Sequence, residues 1–218
     1  MKKVAILKDV KSDYSMGLAQ FFSETLKAAG GEVLVEQSYA SGDLDFKSQL
    51  TALKAKNPEA IFVPGYYTEV GLIARQAREL GIKAPLLGGD GWDSPKLTEI
   101  GGKSIEGSYF SNHYSPDDQA PRIQSFVKEF KAAYGETPDG LAAMGYDAMA
   151  VLAEALKKTP DHTTPGKLRD TLAATANHPG VTGMITLNAL RNPIKPAVVL
   201  KVEGKDFKYS ATIQPKAE

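Results

Sequence analysis

The chain has 218 residues, enough for one large domain or two small ones. Lysine plus arginine and aspartate plus glutamate balance at 26 each, which argues against a sequence-independent nucleic-acid binder living on surplus positive charge. There is no cysteine, so disulfides and thiolate metal sites are excluded, and no apolar run approaches the ~20 residues of a membrane-spanning helix.

In chain order, VAIL (4–7) reads as a strand. Only these four apolar residues precede Lys8, too few for a secretory apolar core, so no signal peptide is expected. Leu18, Phe21, Phe22, Thr25, Leu26 and Ala29 follow helical spacing until Gly30-Gly31 stops them. EVLVEQS (32–38) is a second strand, and Asp45 is placed to cap a helix whose Phe46, Leu50 and Leu53 share a face. AIFV (60–63) is a third strand; Val70, Ile73, Ala74 and Ala77 line the next helix, which ends at Gly81. PLLG (85–88) is a fourth strand, Ser94 to Ile100 a short helix and GSYFS (107–111) a fifth strand. Strands alternating with helices at this spacing predict right-handed crossovers and a parallel sheet covered on both faces, an α/β doubly wound fold.

From Pro116 helices dominate: 120–134, 141–158 and 166–175. GMITL (183–187), AVVLKV (197–202) and a tail near FKYSATI are β-like. The change of pattern between Asn112 and Pro116 marks a candidate boundary. Asp117-Asp118, and Asp43 with Asp45, read as helix caps, and Thr163 or Thr164 as the cap of the helix that follows.

Two tyrosines in PGYYTEVG (64–71) are more than a chain reversal needs, since Gly, Asn or Asp would serve. In an open parallel sheet, ligands sit beyond the carboxyl ends of the strands where strand order reverses. Under the order 2-1-3-4-5, the loops after strands one, three and four converge. They carry Tyr14, Tyr66, Tyr67, Asp90 and the single tryptophan, Trp92. An aromatic wall with one carboxylate suits a small ligand with an apolar part and a cationic head. The GGDG stretch (88–91) disfavours phosphate, which wants backbone N–H groups without a competing negative charge. The structural alternative makes Tyr67 and Trp92 half-buried rim residues and Asp90 a turn-former. The three histidines (113, 162, 178) lie in separate segments without metal-ligand spacing, and no nucleophile stands beside a base, so neither metal, cofactor nor enzymatic activity is expected.

Five blocks carry a resemblance: KKVAILKDVKSDYSMGLA, GDLDF, NPEAIFVPGYYTEVGLIARQARELGI, LLGGDGWDSPKL and GYDAMAVLAEAL. Together they resemble the leucine/isoleucine/valine-binding family of type I periplasmic binding proteins, the extracytoplasmic receptors of ATP-driven (ABC-type) amino-acid importers. The resemblance implies flavodoxin-like lobes that close like a jaw on a free amino acid, delivered to permease subunits. It implies that Tyr14 and Tyr66 contact ligand, that Asp90 takes the α-ammonium, and that Trp92 beside it covers the side chain. Leu141 or Ala142 lies near a first-lobe position that touches the ligand side chain.

The resemblance further implies a receptor without its first lobe. Residues 1–115 correspond to the second lobe, 116–187 to helical elements of the first, and 188–218 to a crossover and returning strands. The apolar helix faces after residue 116 then need cover, at ~1.5–3 kcal/mol per large side chain, from the second lobe, a second copy or a missing-lobe partner. The stretch GMITLNALRNPIKP departs from the family pattern, with Ala189-Leu190-Arg191 where an acidic, glycine-containing turn is usual. The alternative is a flavodoxin-like regulatory or interaction domain that senses a small molecule.

Overall fold

The structure, a computed structural model, describes residues 1–159 and 164–215. The chain divides into two compact units, the first Met1–Ser111 with Leu200–Lys208, the second Asn112–Val199 with Tyr209–Glu218.

The first unit alternates strand and helix: β1 (Lys3–Asp9), α1 (Asp13–Ala28), β2 (Glu32–Tyr39), α2 (Lys47–Lys54), β3 (Ala60–Phe62), α3 (Tyr67–Glu79), β4 (Leu86–Gly88), α4 (Pro95–Gly101) and β5 (Tyr109–Asn112). Two later strands, β9 (Ala197–Glu203) and β10 (Asp206–Ile213), extend the sheet to the order β10-β9-β5-β4-β3-β1-β2. The pairs β1/β2, β1/β3, β3/β4 and β4/β5 are parallel, so the order expected from sequence holds within the first five strands. Val4 to Leu7 are all buried although successive side chains point to opposite faces, so both faces of β1 are covered. On one face Val4, Ile6, Ala60 and Phe62 pack with Ala19, Leu18, Phe22 and Leu26 of α1, and Phe22 stacks on Phe62 with ring centroids 4.1 Å apart. The helix α1 starts where Ser12 accepts a hydrogen bond from Ser15 N.

Phe46, rather than Asp45, is the capping residue of α2. Its ring is buried edge-on to Tyr39, and the Asp45 carboxylate accepts from Lys47 N at 3.0 Å from one position earlier. Asp43 caps no helix: it closes a turn by accepting from Ala40 N. Asp118 likewise accepts from Ala120 N before Pro121, whose ring occupies the first helical position and needs no cap donor there.

The second unit contains α5 (Pro121–Tyr134), α6 (Gly140–Lys158), α7 (Pro165–Ala173) and a three-stranded antiparallel sheet of β6 (His178–Gly180), β7 (Gly183–Leu187) and β8 (Pro193–Ile194). The strands β6 and β8 have three and two residues and contain proline, so no strand pattern announces them. Thr164 stands at the cap of α7 without a side-chain bond; Thr163 and His162 lie outside the described residues. A small core joins Tyr114, Phe126, Val127, Ala143 and Val181. The Ala189-Leu190-Arg191 turn is closed by Asn188, whose Oδ1 accepts from Leu190 N and Asn192 N, while Arg191 takes a left-handed φ of 66°.

Candidate functional site

Three loops of the first unit build the site. The loop after β1 is fixed by its own polar groups. Ser15 Oγ accepts from Asp9 N, and Asp9 Oδ1 accepts from Lys11 N and Ser41 N. That bracing sets the first turn of α1 and so the position of Tyr14. After β3, Gly65 is needed because a Cβ there would collide with the Tyr39 hydroxyl. Tyr66 then caps α3 in an extended conformation (φ −102°, ψ 158°) and remains 47% exposed, while Tyr67 turns into the helix and is half-buried. After β4, residues Asp90–Trp92 form one 3-10 turn, held by Trp92 N donating to Gly89 O and Asp93 N to Asp90 O.

These loops bring Tyr14, Tyr66 and Asp90 together. The Tyr14 and Tyr66 rings stack with centroids 5.2 Å apart at 30°. The Tyr14 hydroxyl donates to Asp90 Oδ1 at 2.8 Å and accepts from Gly91 N at 3.0 Å. Burial, then the adjacent Asp90 carboxylate, push the Tyr14 phenol well above its ordinary range, so it stays a neutral donor. Glycines make room for it: a Cβ on Gly89 would lie 2.7 Å from the Tyr14 hydroxyl, and one on Gly91 3.0 Å from Tyr66 Cδ1.

Trp92 lies in the core rather than on the rim. Its indole is 0% exposed, tilts against Phe110, and donates from Nε1 to Val63 O at 3.1 Å. A Cβ on Gly88 would strike that indole, so the ring occupies the space under the end of β4 and belongs to the core. The 3-10 turn decides this, because Trp92 sits on its inward side while Asp90 stays half-exposed on the rim. Leu141 lies in the second unit, second in α6 and 54% exposed.

Sequence reasoning missed the Gly91 amide as a partner of Tyr14. The GGDG stretch held the signal, since glycines around an acid mark close approach as well as turns. It also missed Asp147 in the second unit. This carboxylate is 3% exposed and accepts from Val181 N (2.7 Å), Thr182 N (2.8 Å) and Thr182 Oγ1 (2.7 Å), while Lys195 Nζ donates to that hydroxyl. An acid four residues after Ala143 in the buried stripe of α6 was its only trace. Among the described residues, no group of three or more His, Cys, Asp or Glu is arranged to hold a metal ion.

A sequence model described as periplasmic binding protein matches residues 1–207. The chain belongs to that family. It is 30% identical over 174 residues, 79% of its length, to the leucine-, isoleucine-, valine-, threonine- and alanine-binding protein of Pseudomonas aeruginosa, of which the match covers 46%. It superposes on the leucine-binding protein LivK of Thermotoga maritima with TM-score 0.92 at 39% identity, covering 98% of this chain and 61% of that one. The isoleucine complex of the branched-chain amino-acid transporter substrate-binding protein LivJ of Streptococcus pneumoniae gives TM-score 0.86 at 33% identity, with 98% and 60% covered. These relatives are substrate-binding proteins, not enzymes. The chain spans about half the length of the curated relatives it matches. No described helix is long and apolar enough to cross a membrane.

Proposed function

We propose that this chain is a substrate-binding component of an ABC-type importer for amino acids with apolar side chains, working outside the cytoplasm with permease subunits. The observation that carries this is the meeting of Tyr14, Tyr66 and Asp90 at the carboxyl ends of three neighbouring strands. In this assignment Asp90 takes the α-ammonium, a charge-assisted contact, and the exposed Tyr66 ring supports the side chain. The names of the relatives, which include leucine-, isoleucine- and valine-binding proteins, support that substrate class. The first unit acts as one receptor lobe, and α5, α6 and α7 of the second supply helices of the other. The exposed face of α6 in the second unit is covered by a partner, either a second copy of this chain or a polypeptide carrying the remaining lobe.

The test is a titration of the isotopically labelled chain with leucine, isoleucine and valine, followed by NMR. Leucine should shift the Gly91 and Tyr66 amides saturably, and Asp90→Asn should weaken binding by about tenfold to a hundredfold, the value of one charge-assisted hydrogen bond. No saturable shift with any of the three at tens of millimolar, or an unaffected Asp90→Asn variant, would overturn the proposal.

A further inference from the structure

We infer that Tyr14 is a positioning residue, whose hydroxyl sets the direction of the Asp90 carboxylate and thereby gives the site its preference for ligands bearing an ammonium group. The inference rests on the proposed function above and names what makes the acid selective.

A carboxylate on a short loop has rotamers to choose from, and an ammonium rewards only those that aim an oxygen at it. Here the choice is made before any ligand arrives. The Tyr14 hydroxyl gives its one proton to Asp90 Oδ1 at 2.8 Å, and its lone pair is taken by Gly91 N at 3.0 Å. The hydroxyl therefore pins both the side chain of Asp90 and the backbone of the next residue. It comes from α1, seventy-six positions away in sequence, and α1 is itself capped by Ser12 and braced through Ser15 and Asp9. The ring is held from the side by Tyr66 at 5.2 Å. Glycines at 89 and 91 admit the hydroxyl at this place, since a Cβ would come 2.7 Å from it at Gly89 and 3.2 Å at Gly91. With its proton committed to Asp90, the Tyr14 hydroxyl is not a donor for the ligand. Its part in recognition runs through the acid.

The experiment compares leucine with 4-methylpentanoate, which keeps the carboxylate and side chain and lacks the amine, by NMR titration of the wild-type chain, Tyr14→Phe and Tyr134→Phe. Tyr14→Phe keeps the ring and its stacking and removes only the hydroxyl. Preference for leucine over the amine-free analogue should fall by about fivefold to thirtyfold in Tyr14→Phe, while the preference for leucine over alanine stays. Tyr134→Phe, at an exposed position of α5 in the second unit, should leave both ratios unchanged. A Tyr14→Phe chain that still prefers leucine as strongly as the wild type overturns the inference and leaves the proposed function standing. Should the wild type bind neither compound, the proposed function fails, and the ligand-free readout decides this point alone. The 13C carboxyl resonance of Asp90 should shift in Tyr14→Phe, through loss of the hydroxyl that donates to its Oδ1. An unmoved resonance overturns it.

Discussion

The two compact units solve the same problem, covering a helix, in different ways. In the first, α3 buries Val70, Ile73, Ala74 and Ala77 on one stripe, and the strands beneath are buried on both faces. In the second, the nineteen-residue α6 buries only Gly140, Ala143, Asp147 and Ala155, and leaves Leu141, Tyr146 and Met149 exposed, the last by 63%. A helix apolar nearly all round normally sits inside a protein. The first unit thus draws its stability from area removed from water. The second rests on a small core plus one buried carboxylate that gathers three donors of the β6–β7 turn. Gly180 permits that approach, because a Cβ there would lie 2.6 Å from Asp147 Oδ2.

The sharpest way to break this contrast is Asp147→Leu. Three donors would lose their acceptor inside the unit, and we expect a loss of about 4 kcal/mol in urea unfolding, with hydrogen exchange accelerated at Val181 and Thr182 before β1 and β3 are affected. Equal acceleration in both units would show that their stabilities are not separable. Ile73→Ala is the counterpart in the first unit, at about 3 kcal/mol for a cavity under α3, and protection of β1 and β3 should fall first. Gly91→Ala forces a Cβ to 2.8 Å from Gly65 O; about 1–2 kcal/mol is expected, with a larger proportional loss in amino-acid binding by calorimetry.

Titration sharpens the comparison from the alkaline side. Burial raises the Tyr14 and Tyr39 phenols well above the ordinary value, helped by Asp90 for Tyr14 and by Asp9 and Glu69 for Tyr39. The unfolded chain then releases these protons first, so their stabilising effect is complete below pH ~10 and declines as pH rises beyond it. Tyr39→Phe should lose less stability than the wild type between about pH 9 and about pH 12, and protection in the first unit should report the difference. The smallest effect is expected for Met149→Ser, within ~0.5 kcal/mol of zero for the isolated chain. Its place to act is association, and sedimentation should show weaker self-association or partner capture if the exposed α6 face is where a partner docks.

The strand order of the first unit was legible because five strand runs and helices with a 3.6-residue period alternate at crossover spacing. The convergence of Tyr14, Tyr66 and Asp90 followed from that order alone. What failed was local. Trp92 and Asp90 are two residues apart, and only the pitch of a single 3-10 turn sends one inward and the other to the rim. Asp45 and Asp118 look like helix caps but each serves a turn beside the helix start, where Phe46 packing and the Pro121 ring set the boundary instead.

By itself, then, the sequence determined the α/β architecture, the family and the three loops at the mouth of the sheet, because periodicity and composition act through burial, which is nearly local in its demands. Only the tertiary structure decided which side chain of each loop reaches the rim, that Tyr14 holds Asp90, and that Asp147 anchors a distant turn. Those outcomes depend on hydrogen bonds between groups far apart in the chain, whose short range and fixed direction leave no repeating mark in the order of residues.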